Sequence, residues 1–176
     1  MRTTAIQDAS LALACTLASL PDWTDRYHYI IEQGRRLPAP PPGLCTGAHR
    51  VHACASVLWL RATGDARCIR YQGASDCPMD AGLMALAFRV YGGRAAEDIV
   101  ATPPAFIAGT GLDSRLSMRR LEGLYGLVDR MRDDALQRLL IERIAVFQPQ
   151  PGISAESADE TSGQWPRRAA GHGATG

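Results

Sequence analysis

Lysine is absent from this chain of 176 residues; apart from four histidines, every basic side chain is arginine. That absence excludes a Schiff-base lysine, a lysine-bearing phosphate loop and a lysine general base. An excess of charge is also missing. The formal net charge is +1 at pH 7, which argues against a nucleic-acid or anionic-membrane partner held mainly by charge. Long apolar runs are missing too: the longest, such as residues 81–88, are far too short to span a bilayer. No internal repeat is visible. The first twenty residues set Arg2 before a short apolar stretch, in the manner of a secretion signal. Gln7 and Asp8 interrupt that stretch, and no small-x-small cleavage site follows cleanly. The expectation is an amphipathic first helix in a cytosolic protein with no membrane partner. Close cysteine pairs of the C-x-x-C kind are lacking as well.

The length fits one domain around one core. The five cysteines are Cys15, Cys45, Cys54, Cys68 and Cys77, an odd count that points to reduced thiols rather than a disulfide framework. Trp23, Tyr27, Ile30, Ile31 and Gly34 form a helical stripe, with Asp22 expected as its N-cap and Gly34 as its C-cap. Four prolines in residues 37–43 make the next segment a stiff connector. Residues 57–62 and 67–73 flank Thr63-Gly64-Asp65 and predict a β-hairpin turning there. Asp76 is expected to cap a helix that runs to about Tyr91. Met79, Leu83, Leu86 and Val90 would form its buried face, with Pro78 in its first turn and Gly92-Gly93 as its stop. A short helix is expected near residues 95–100, before Pro103-Pro104. The last helix would start near Ser117, turning Leu121, Leu124, Val128, Met131, Ala135 and Leu139 inward and a charged face outward. From about Gln148 the composition lacks period, so the chain divides into a domain over 1–147 and a disordered tail over 148–176. Helices, a small antiparallel sheet and further helices give an α+β fold.

Thiols and imidazoles concentrate between Cys45 and Cys54. A zinc-stabilised binding module would use Cys45, His49, His52 and Cys54, but one short stretch would then have to wrap the ion by itself. A second reading makes Cys54 a nucleophile in a loop leading into the hairpin, with Arg50 and His52 near enough to favour its thiolate. A hydrolase or peroxidase pairing of Cys54 with His52 is a weaker variant, because alternate residues of an extended segment share a face without meeting. A plain packing role is the remaining alternative, since free cysteine is often buried. Cys15 reads as packing on an apolar helix face. Cys68 reads as packing or an exposed bystander in a strand. Cys77 sits where a helix dipole would lower a thiol pKa, though a small residue at a helix start is the simpler account.

Four stretches together resemble the SufE/CsdE family of sulfur acceptors. Residues 23–38 are close to W-E-x-x-Y-x-Y-I-I-E-L-G-x-x-L-P, and residues 50–59 resemble V-x-G-C-Q-S-Q-V-W. Residues 75–83 resemble S-D-A-A-I-V-x-G-L, and residues 116–124 resemble L-T-P-S-R-x-x-G-L. They occur in the family's order at similar spacing, from Trp23 to the last helix. The resemblance implies a small antiparallel sheet packed by helices, similar to Fe–S scaffold proteins of the IscU kind. It implies a PLP-dependent cysteine desulfurase of the SufS type as partner, a downstream Fe–S scaffold as recipient, and no cofactor of the chain's own. Such a protein activates a desulfurase rather than acting as a stand-alone enzyme. By the same resemblance Cys54 is the persulfide acceptor, Asp76 an acidic residue beside its loop, and Arg120 the family's arginine. Ala53 stands where the family has glycine, and Ala55 stands where it has glutamine. A second glutamine is replaced at Val57-Leu58.

Overall fold

The computed structural model describes residues 4–52 and 56–147. Helix α1 (Ala5–Ala18) starts in a reciprocal cap. Thr4 Oγ1 accepts from the Gln7 amide at 3.3 Å, and Gln7 Oε1 accepts from the Thr4 amide at 2.9 Å. Two of the four amides that a helix start leaves unpaired are thereby satisfied. The helix buries Ile6, Leu13 and Leu17 and leaves Cys15 exposed. The expected packing role for Cys15 is therefore wrong: on a 3.6-residue period, position 15 falls away from the 6–13–17 stripe.

Helix α2 (Trp23–Arg35) has the expected cap, with Asp22 Oδ1 accepting from the Asp25 amide at 2.9 Å. It does not stop at Gly34 but runs through it, and Arg36 is the C-cap. Gly34 serves a close approach instead. A Cβ there would lie 2.5 Å from the backbone nitrogen of Gly82, in helix α3 (Pro78–Tyr91). A Cβ on Gly82 would in turn run into the carbonyl oxygen of Ile30. Two bare glycines thus let α2 and α3 touch backbone to backbone.

Between these helices in chain order comes the sheet. Strands β1 (Leu58–Asp65) and β2 (Cys68–Ser75) pair antiparallel, with Leu58 opposite Ser75 and Asp65 opposite Cys68. The turn is therefore Ala66-Arg67, later than expected. Asp65 fixes it there: its Oδ1 accepts from the Arg67 and Cys68 amides, each at 3.0 Å. Such a side-chain turn is open to aspartate and not to the neighbouring residues. Gly64 lies within β1 at φ +89°, the left-handed region that favours glycine.

After α3, Gly92 and Gly93 turn the chain back so that residues 93–94 cover the outer edge of β2. The Gly93 amide donates to Ile69 O at 2.6 Å, and the Ile69 amide donates to Arg94 O at 2.9 Å. Short helices α4 (Ala96–Ala101) and α5 (Ala105–Gly109) follow. Helix α6 (Met118–Phe147) closes the fold, running about 45 Å. Its Leu124, Val128, Met131 and Ala135 are buried as expected. Arg138 donates to the carbonyls of Ala62 (2.6 Å) and Gly64 (2.9 Å), and Tyr71 Oη donates to Met131 O at 2.9 Å. These bonds satisfy carbonyls on β1 and clamp the hairpin to α6. The outer face of α6 is less uniformly charged than expected: Leu136, Leu140, Ile141 and Ile144 are exposed along its last turns. The architecture is α+β, a two-stranded antiparallel sheet packed by helices. No helix among the described residues is long and apolar enough to cross a membrane.

Candidate functional site

The stretch rich in thiols and imidazoles leads into a short connection with a closed base. The Val51 amide donates to Leu58 O at 2.8 Å, and Arg50 bridges to Trp59 in antiparallel fashion. Both Val51 and Leu58 are buried. Residues 52–57 therefore link two chain segments that are already paired. Cys54, with Ala53 and Ala55, lies outside the described residues. The residues on either side of it are described.

Three side chains converge on the C-terminal side of that connection. The Asp76 amide donates to Val57 O at 3.3 Å, and Asp76 Oδ1 accepts from the Val57 amide at 3.0 Å. Asp76 thus continues the β1–β2 pairing by one step and adds a carboxylate bond to it. It does not cap α3, as its sequence position suggested. Pro78 opens the helix, and a residue before proline is driven out of the helical region. Cys77 is accordingly extended (φ −106°, ψ 120°) and becomes the N-cap, with no side-chain cap bond. That leaves Asp76 outside the helix, where it faces Val57.

The second carboxylate is Asp80, in the first turn of α3. Its Oδ2 accepts a hydrogen bond from Ser56 Oγ, and its Oδ1 lies 3.8 Å from Arg120 Nε. The Asp80 side chain is 15% exposed and that of Arg120 45%. Sequence reasoning assigned a role to Arg120 but none to Asp80 or its bond to Ser56. One signal was available: Asp80 stands where the resembled motif S-D-A-A-I-V-x-G-L has valine. Beside this cluster a narrow cleft of about 310 Å³, counting its open mouth, runs between α3 and α6. Leu58, Leu83, Leu124 and Leu127 form its apolar wall, and Asp80, Arg119 and Arg120 its polar rim.

Among the described residues, no cysteine or histidine side chain joins this cluster. Cys45 is exposed, Cys68 is half-buried in β2, and Cys77 is half-buried against the core. Among the described residues no three of His, Cys, Asp or Glu gather as a metal site. Cys45, His49 and His52, three of the four ligands of the zinc reading, are therefore not brought together.

Fold and site define a small α+β domain in which a short cysteine-bearing connection is braced by two carboxylates and an arginine. The family described as SufE, Fe-S metabolism associated domain, matches residues 12–135. An uncharacterized SufE-like protein of Rhizobium meliloti is 37% identical over 127 residues, 69% of this chain and 91% of the relative. Another from Rhizobium etli is 36% identical over 124 residues, 68% of this chain and 84% of the relative. The solution structure of a hypothetical protein from Thermus thermophilus shares the fold, with a TM-score of 0.63 at 24% identity. The match covers 80% of this chain and 99% of that one. The chain belongs to the SufE family and is associated through it with Fe–S metabolism.

Proposed function

We propose that this protein accepts sulfur on Cys54 from the persulfide of a SufS-type, PLP-dependent cysteine desulfurase and passes it on for Fe–S cluster assembly. The observation that carries the reading is the bracing of one short connection. Asp76 holds Val57, Asp80 holds Ser56 and Arg120 together, and Cys54 is the one cysteine within residues 52–57.

The step is a thiol exchange at sulfur with no net redox change. The Cys54 thiolate attacks the outer sulfur of the enzyme persulfide and forms a new S–S bond. The enzyme's own S–S bond breaks, and its cysteine leaves as thiolate. Cys54 then carries the sulfur as a persulfide. Thiolate fraction, leaving-group acidity and access govern the rate, as in any thiol–disulfide exchange. The chain's own residues supply position: the paired Val51 and Leu58 set where the connection leaves the fold, and Asp76 and Asp80 set where it returns. Arg120 pairs with Asp80 at that return and so offsets one of its two carboxylate charges. Sulfur from the desulfurase should appear on Cys54 as a mass gain of one sulfur atom, removable by a reductant. Its appearance on another cysteine instead would overturn the reading.

A further inference from the structure

We propose that Asp80 is a positioning residue that makes Ser56 and Arg120 one unit, so that the cysteine connection is tied to α6 as well as to α3. The inference rests on Cys54 as the working thiol. Three observations carry it. Asp80 divides its two oxygens, Oδ2 to the Ser56 hydroxyl and Oδ1 toward the Arg120 guanidinium. Ser56 is two residues after Cys54 in the chain, whereas Arg120 belongs to a different element, the first turn of α6. The Asp80 side chain is mostly buried, in a rim whose wall is leucine, so its charge is costly without both partners.

The valine of the resembled motif has no atom that could make either bond. In this chain the charge of Arg120 is therefore directed onto Asp80, and the serine after the cysteine is held by the same group. Asp76 makes a separate tie to Val57 and shares no atom with this one. Removing any one of the three members should release the other two from common control.

The test reads alkylation of Cys54 by iodoacetamide in the full chain, resolved from the other cysteines by peptide mass mapping. Asp80→Asn keeps an acceptor for Ser56 and removes the charge facing Arg120. Arg120→Gln removes the other half. Each should speed Cys54 alkylation about threefold, the scale of a partly exposed ion pair. The double variant should be no faster than either single one. Alkylation of Cys77, at the start of the same helix, should stay at the wild-type rate, whereas general loosening would raise both. Asp80→Glu restores the charge and should return the rate toward wild type. Unchanged Cys54 rates, independent effects that multiply in the double variant, or a parallel rise at Cys77 would each overturn the proposal. Should Asp80→Asn fail to fold, Ser56→Ala against Arg120→Gln gives the same cycle. None of these rates needs a desulfurase, so their failure is separable from failure of sulfur acceptance, which only the partner assay reads.

Discussion

Asp76 sends its carboxylate to the amide of Val57 at 3.0 Å rather than to a helix start, so its loss should be felt at the cysteine connection more than in α3. A charge-assisted bond at an exposed position is worth about 1 kcal/mol. Asp76→Ala should lower stability by that amount in denaturant titration and weaken desulfurase stimulation. Asp76→Asn, which keeps an acceptor oxygen, should restore most of both. Equal losses in the two variants would mean that charge, and not the bond to Val57, is what matters. At this scale the sequence singles out candidate residues but not what each one touches. Asp22 was legible as a cap because its partner, Asp25, is three residues away. The bond from Ser56 to Asp80 spans the whole hairpin, and neither periodicity nor local spacing encodes it.

Helices α2 and α3 owe their closeness to Gly34 and Gly82. An added methyl at Gly82 would collide with the Ile30 carbonyl, a backbone atom that cannot swing aside. Gly82→Ala should therefore destabilise the fold by about 2 kcal/mol or more, the scale of overpacking in a core. Ala81→Gly, next to it on α3, should cost only the helix-propensity difference of about 1 kcal/mol. Equal losses of melting temperature would place the cost in the helix rather than in the contact. The elements themselves were largely legible. The stripes of α2, α3 and α6 repeat at helical spacing, and two apolar strands flank turn chemistry. A glycine at the end of a stripe looks the same whether it ends a helix or admits a neighbour, and Gly34 admits one. The hairpin turn was misplaced because Gly64 and Asp65 both carry turn signals, and the aspartate's side-chain bonds decide between them.

At the scale of the whole molecule, two buried tyrosines join the layers. Tyr71 bonds to α6 through Met131 O, and Tyr91 Oη donates to Thr102 O at 3.3 Å. Burial pushes the Tyr91 hydroxyl up to about 12. It pushes Tyr71 higher still, with the Asp134 carboxylate adding to the effect and Arg138 opposing it. Their unfolded counterparts titrate near the ordinary value of 10. Between those pH values the unfolded chain has lost protons that the folded chain keeps, so stability is intact below about pH 10 and falls as pH rises further. Tyr91→Phe should remove from that alkaline fall an amount on the order of 2 kcal/mol; an unchanged slope in pH-dependent denaturation would show that Tyr91 titrates alike in both states. The core that these tyrosines join holds the paired base, Val51 and Leu58, from which the cysteine connection departs. If this connection carries sulfur, Cys54 is indispensable, and the deciding measurement is the turnover of a purified SufS-type cysteine desulfurase with wild-type protein and with Cys54→Ser, alongside mass mapping of the transferred sulfur. Sulfur acceptance on this thiol requires stimulation and a sulfur adduct on Cys54 with wild type, and neither with the folded variant. Full stimulation by Cys54→Ser would contradict it.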